Sequence, residues 1–356
     1  MLRLVARNPP SRALTLAAPV LALALTVVLG AVLFVALGHP PGQALALFFI
    51  EPLRGADAWS ELAVKATPLA LIALGLAVCF RANVWNIGAE GQFIFGALGA
   101  TAVAMRATAS TTHLILPAIA VAGIVAGAAW AAVVAFLRDR FNANEILVSL
   151  MLVYVADMLL GTLVYGPWKD PEGFNFPQTI SFLPVTQVPL LAEGHRAHVG
   201  LFAALVVALA AWLFLFRTYG GFQLSVGGQA PRAARYAGFS ARRSLWTALL
   251  TSGGLAGLAG AVEVTGPLGQ LTPHLPVGYG FTAIIVAFVG RLHPFGILLS
   301  SILMSMLYIG GELAQSRLGL PQALSGVFQG LLLFTLLACD ALASYRMLRV
   351  APRVVA

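Results

Sequence analysis

Runs of apolar residues separated by short polar knots fill this chain from end to end. Crossing a hydrocarbon core of about 30 Å takes about 20 residues at ~1.5 Å each. By that ruler the runs lie near 14–37, 62–80, 86–105, 114–137, 144–165, 199–216, 244–263, 280–290, 295–311 and 320–339. They predict an all-α polytopic membrane protein of about ten transmembrane helices. Two stretches depart from the pattern. The run from Gly280 to Gly290 would be only ~17 Å long as a helix, and it stops at Arg291, His293, Pro294 and Gly296. The second and third runs are parted by Arg81-Ala82-Asn83-Val84-Trp85-Asn86-Ile87-Gly88. Irregular backbone at membrane depth is tolerated only where it is buried in protein or lines a cavity, so paired breaks point to a transport pathway with half-spanning helices. A pair of short cytoplasmic elbows is the other reading.

Composition supports the membrane assignment: 60% of residues are hydrophobic and 10% charged, against about 25% charged in soluble domains. No long polar stretch remains for a soluble domain, so residues 1–356 read as one transmembrane domain. The net charge of +8 comes from basic residues scattered through short loops, which fits membrane orientation and excludes a nucleic-acid partner. Of 21 basic residues, 15 fall on the side of the N-terminus, from Arg3, Arg7 and Arg12 through to Arg346, Arg349 and Arg353. Five (Arg54, Arg106, Lys169, Arg196, Arg317) fall on the other side, and Lys65 lies inside a run. This bias predicts cytoplasmic N- and C-termini, an extracytoplasmic loop at 166–198 and a cytoplasmic loop at 217–243. The run from Leu14 to Leu37 is too long for a signal-peptide core and is expected to be retained. Cys79 and Cys339 both lie in apolar runs, where they read as small buried residues.

Candidate chemistry is sparse. Asn86, Glu90 and Gln92 bring a carboxylate and two amides to the start of an apolar run, where a mid-helix charge costs about 2.5–3.5 kcal/mol and needs a partner or water. If that stretch is helical, Asn86 and Glu90 share a face and Gln92 points elsewhere. Asp157, three residues after Tyr154, is a second candidate for a pathway; satisfaction by a neighbouring helix is the alternative. His195 and His198 have a metal-like spacing without an apparent third ligand, so no metal site is expected. Trp168 and Phe174 read as interface anchors. The loop from Arg217 to Arg243 carries five arginines and no acid. Within it, Pro231 and Gly238 bracket Arg232, Ala233, Ala234, Arg235, Tyr236 and Ala237, a two-turn helix by its start and stop signals.

The stretch Phe80-Arg81-Ala82-Asn83-Val84-Trp85-Asn86-Ile87-Gly88-Ala89-Glu90-Gly91-Gln92 resembles the signature of permeases from nucleoside and simple-sugar ABC importers, relatives of the ribose-type and branched-chain amino acid permeases. The likeness continues through Asn144-Glu145-Ile146, Pro177-Gln178-Thr179 and Gly278 to Gly296, and covers most of the chain from about residue 40. The segment Gly228 to Gly238 is similar to the family's coupling-helix pattern, with Ala230 in place of the usual Asn, so the helix lacks its customary N-terminal cap. The resemblance implies a permease of the bacterial cytoplasmic (inner) membrane that pairs with an ABC ATPase subunit. It further implies a second permease, a shorter paralogue in a heterodimer, and an extracytoplasmic solute-binding protein that delivers a small-molecule solute. Pro231, Arg232, Ala233, Ala234, Arg235, Tyr236 and Gly238 would then couple to the ATPase. Leu224-Ser225-Val226-Gly227-Gly228-Gln229 looks like an ATPase signature, yet neither Lys65 nor Lys169 has a phosphate-loop context. No catalytic residue and no cofactor are therefore expected in this chain, ATP being used by the partner. A proton-coupled secondary transporter using Glu90, Asp157 and Lys65, and a membrane-embedded enzyme using His293 and Glu312, are the competing readings.

Overall fold

The computed structural model describes residues 2–6, 12–108, 110–112 and 114–349. Arg7 and Arg353, counted above among the cytoplasmic basic residues, lie outside the described residues. The helices, in order, are α1 (Arg12–Ala36), α2 (Pro41–Phe49), α3 (Ala56–Arg81), α4 (Ala89–Ala104), α5 (Ile115–Phe141), α6 (Glu145–Tyr165) and α7 (Gly200–Arg217). They continue with α8 (Tyr219–Gln229), α9 (Pro231–Tyr236), α10 (Ala241–Glu263), α11 (Tyr279–Val289), α12 (Pro294–Leu318) and α13 (Ala323–Ser344). Every apolar run of the sequence becomes a helix. Among the described residues 8 are long and apolar enough to cross a membrane. The other two, α4 and α11, have 16 and 11 residues. The third run was read as a full span from 86; residues 84–88 are instead non-helical, which shortens α4. Neither α2 nor α8 was foreseen, because neither carries a span-length apolar run.

The chain forms two compact units. The first comprises 1–54 and 306–356. Its core is an aromatic trio, Phe34, Phe48 and Phe328, with ring centroids 4.6–5.9 Å apart. Thr26 and Thr335 share a 2.9 Å hydrogen bond across α1 and α13. A short antiparallel ribbon of Leu2–Ala6 (β1) and Tyr345–Arg349 (β2) joins the two ends of the chain side by side.

The second unit spans 55–305 and is built on α3, α4, α5 and α10. Its centre is packed backbone to backbone: any Cβ on Gly257 of α10 would strike Gly123 and Gly127 of α5, and any on Gly96 of α4 would strike Gly257. In a bilayer apolar burial drives little helix association, so close packing through small residues supplies it. The middle of α3 is buried from Ala66 to Cys79, enclosed by α10, α11 and α7.

Candidate functional site

The two breaks read from the sequence meet in space. α3 ends where Asn83 takes a left-handed conformation (φ 55°), with the Val84 N–H closing onto the Cys79 carbonyl at 2.9 Å. α11 ends similarly, with Arg291 (φ 59°) and Leu292 (φ 51°) left-handed before Pro294 opens α12. Non-glycine residues rarely adopt this region, and such strain gathers at functional and switch segments. The Arg81 Nε–H donates to the Leu292 carbonyl at 3.0 Å and ties one elbow to the other. Its guanidinium lies 4.4 Å over the Phe216 ring.

Beyond the first elbow residues 84–88 are not helical, so Asn86 is not on a helix with Glu90. The expected shared face is replaced by a different arrangement. Asn86 pairs with Gln92, Nδ2 donating to Oε1 at 2.9 Å and Nε2 donating back to Oδ1 at 3.1 Å. Asn86 Nδ2 also donates to Ser252 Oγ at 3.0 Å, and Asn86 Oδ1 accepts from the Gly88 N–H at 3.1 Å. The Ile87 N–H donates to Ser149 Oγ at 3.2 Å. A buried amide gains most where all its donors and acceptors are matched, which Gln92, Ser252 and the Gly88 N–H together achieve for Asn86.

Glu90, buried in the first turn of α4, turns to the half-helix. Its carboxylate accepts from the Gly278 N–H at 2.9 Å and from the Gly280 N–H, the unpaired donors at the start of α11. The positive end of the α11 dipole is thereby matched by an anion. Gly280 packs its backbone directly on Glu90, where a Cβ has no room. Asn86 and Gln92 therefore form one buried knot, and Glu90, buried too, makes a separate set of bonds to the start of α11. Asp157 stands apart: it is exposed on α6 beside Tyr154 and Met158, within Coulombic range of Glu90. Among these partners Ser149 and Ser252 carry no mark in the sequence, and Gly278 and Gly280 stand out only as bounds of a short run and of a family likeness, since serines and glycines are ordinary in membrane helices.

On the side of the elbows, α8 is capped by Thr218, whose Oγ1 accepts from the Gly221 N–H at 3.2 Å. The two-turn helix foreseen after Pro231 is α9, without a side-chain cap at Ala230, and the chain turns away at Gly238 with φ 79°. Ala234 faces inward, while Arg232, Ala233, Arg235 and the 97% exposed Tyr236 face out. The end of α8 is fixed to the first elbow, because Gly228 lies against the Arg81 carbonyl with no space for a Cβ. Asp139 of α5 accepts from Trp246 at 3.1 Å and pairs with Arg242 at 2.8 Å, which fastens the start of α10.

At the opposite end of α3 the long loop before α7 is clasped down. His195 Nδ1 lies 3.0 Å from Asp57, Arg196 makes two 3.2 Å bonds to Glu61, and Ser60 Oγ accepts from the Arg196 and Ala197 N–H groups at 2.9 and 2.7 Å. His198 is buried, its Nδ1 accepting from the Gly200 N–H at 3.2 Å. Burial, with Arg196 nearby, pushes its imidazole down to about 4. The two histidines thus serve different partners, and among the described residues no three metal-ligating side chains gather.

Comparison with known proteins adds a family. Residues 59–337 match the model described as branched-chain amino acid transport system / permease component. The chain is similar to the glucose ABC transporter permease protein TsgB13 of Haloferax volcanii, 34% identical over 338 residues, 92% of this chain and 88% of that protein. It is similar to the guanosine ABC transporter permease protein NupP of Bacillus subtilis, 30% identical over 72% of this chain and 74% of that protein. It is also similar to the nucleoside ABC transporter permease protein NupB of Lactococcus lactis, 25% identical over 89% of each. No solved structure matches the chain.

Proposed function

The chain belongs to the branched-chain amino acid transport system permease family, and from that premise we propose that this multi-pass ABC importer subunit carries a neutral nucleoside or related sugar-containing solute across the cytoplasmic membrane. A separate ATPase subunit supplies the drive, a second permease completes the pore and an extracytoplasmic binding protein delivers the solute. Relatives whose names come in pairs within one organism, NupP with NupQ and NupB with NupC, support a shorter paralogue as the second permease.

One observation carries the mechanism: an unbroken series of contacts leads from the exposed basic helix to the half-helix. α9 presents Arg232 and Arg235 outward, where acidic groups of an ATPase would meet them. α8 bears on the Arg81 elbow through Gly228, and Arg81 bonds Leu292 in the second elbow. From the first elbow the chain runs through the Asn86–Gln92 knot to Glu90, which grips the start of α11. A push on α9 is passed to both ends of α11, a bistable-hinge arrangement suited to alternating access. Asn86, Glu90 and Gln92 act here as the frame of the pathway, holding the broken backbone. Asp157, a carboxylate exposed on a span, faces water or protein rather than lipid, which favours a pore wall shared with the second permease.

The neutral character of the solute follows from Glu90. In carriers of anions a half-helix N-terminus points its positive end at the substrate. Here the chain's own carboxylate occupies that end. The test is uptake by proteoliposomes holding the complete importer, offered uridine, guanosine, D-glucose and a branched-chain amino acid. Uptake of a nucleoside or sugar that needs internal ATP and survives an uncoupler is expected. Uptake driven by a proton gradient without ATP would overturn the reading.

A further inference from the structure

A groove between α7 and α10 lies outside the coupling path. Its deeper part is a trough of about 270 Å³, walled by Val207, Ala210 and Phe214 of α7 and by Thr251 and Leu255 of α10, with Val78 of α3 beneath. Phe214 and Thr247 line both this trough and a second cavity of about 280 Å³, where Gln223, Ser240, Arg243 and Ser244 gather instead. The two cavities are therefore continuous, apolar along α10 and polar at the α8 end. Along α10 the lining changes every four residues through Arg243, Thr247, Thr251 and Leu255, from a charge through two hydroxyls to an aliphatic chain, over ~18 Å. Arg242 pairs with Asp139 at 2.8 Å, whereas the exposed Arg243 has no ion pair among the described residues. Aromatic rings mark the depth of the polar end. Tyr219 and Phe222, both exposed, stack at 6.4 Å, and Phe239, which lines the polar cavity, meets them edge-on at 6.0 and 6.2 Å. Arg217 lies 5.1 Å over the Trp212 ring. Tyr and Trp gather in membrane proteins at the level of the lipid headgroups. The polar cavity thus opens at headgroup level and the trough at the depth of the acyl chains.

We propose that this groove binds an anionic phospholipid from the leaflet on the α8 side, with its phosphate on Arg243 and one acyl chain in the trough. The order of chemistry down α10 matches the order down a phospholipid. A guanidinium takes a phosphate through two parallel N–H···O bonds. One turn deeper, the hydroxyls of Thr247 and Thr251 are donors for the ester carbonyls. Below them an apolar trough open to the bilayer holds a chain of methylenes, because a gap left there would forfeit the dispersion contacts of its lining. The headgroup is anionic because residues 217–243 carry five arginines and no acid, and basic side chains at a membrane surface select acidic lipids. The lipid touches α7, α8 and α10 together, beside the exit of α9 at Gly238.

The complete importer in detergent micelles tests this, titrated with dioleoyl phosphatidylglycerol or dioleoyl phosphatidylcholine and read by native mass spectrometry. Phosphatidylglycerol should bind about tenfold more tightly, the value of one charge-assisted hydrogen bond. Arg243→Gln should remove that preference and Arg243→Lys should keep most of it. Arg235→Gln, which takes the same charge from α9, should change it by less than about twofold. Ala210→Trp, which fills the trough, should weaken both long-chain lipids about tenfold and leave dihexanoyl phosphatidylglycerol within about twofold. Equal losses in Arg243→Gln and Arg235→Gln would reduce the preference to diffuse charge attraction and overturn the proposal. So would displacement of the lipid by inorganic phosphate at equal concentration, or unchanged lipid binding in assembled Ala210→Trp. If Ala210→Trp fails to assemble, Ala210→Leu is measured in its place, and failure of both also overturns it. A photo-reactive amino acid in place of Arg243 should crosslink to phospholipid; crosslinking to the ATPase or the second permease instead would assign the position to a protein interface and overturn the lipid site.

Discussion

Replacing Glu90 with alanine removes the acceptor for two backbone N–H groups, those of Gly278 and Gly280, at the start of α11. The Gly280 N–H is buried, with its backbone packed against α4, whereas Gly278 is half-buried. An orphaned buried donor costs about 1–3 kcal/mol and a half-buried one less, so the two together amount to roughly 2–4 kcal/mol. Loss of the anion at the helix N-terminus is contained in that figure. Glu90→Gln keeps one oxygen acceptor but turns an NH2 towards the second N–H, so it should lose about half as much. The expected order in both uptake rate and thermal midpoint of the purified complex is wild type, then Glu90→Gln, then Glu90→Ala. Alanine should abolish uptake while the complex still forms at low temperature. Wild-type uptake and an unshifted midpoint in Glu90→Ala would refute the claim that this carboxylate holds the half-helix. Loss of assembly in both variants would place Glu90 in folding rather than in the pathway.

Reversing both α9 arginines (Arg232→Glu with Arg235→Glu) should cut ATP-driven uptake at least tenfold with expression unchanged, because exposed loop charges add little to stability; normal uptake at equal expression would exclude a coupling role. Single cysteines at Arg232 and Glu193 should react with an impermeant thiol reagent from opposite sides of the membrane, as the basic-residue bias of 15 to 5 requires. His198 predicts a pH dependence in the loop before α7. Its folded value lies below the ordinary 6.5, so the stability of the neutral imidazole is complete above about 6.5 and is lost as pH falls towards about 4. The largest effect is about 3 kcal/mol, and His198→Asn, which keeps an acceptor for the Gly200 N–H, should flatten that part of the melting-versus-pH profile.

Hydropathy alone fixes the helical membrane fold, since a run of some 20 apolar residues has few other places to go. All ten runs became helices. α9 was legible for a local reason too: Pro231 sets the backbone of a first helical turn and Gly238 supplies the left-handed exit. The breaks were visible as polar knots, and Glu90 as a charge in an apolar setting that demanded a partner. The identity of that partner was not. Gly278 and Gly280 lie nearly two hundred residues along the chain from Glu90, and a backbone N–H leaves no mark in a sequence. The shared face expected for Asn86 and Glu90 failed for a related reason. Whether residues 84–88 join the helix or stay irregular depends on Ser149, Ser252 and Gln92 being present to satisfy the amide of Asn86 and the backbone beside it. Hydrophobic patterning is a property of each segment by itself and survives without knowledge of its neighbours. Hydrogen-bond partners, the meeting of the Arg81 and Leu292 elbows and the clasp of His195 and Arg196 on α3 exist only once distant segments are packed, and tertiary structure alone decides them.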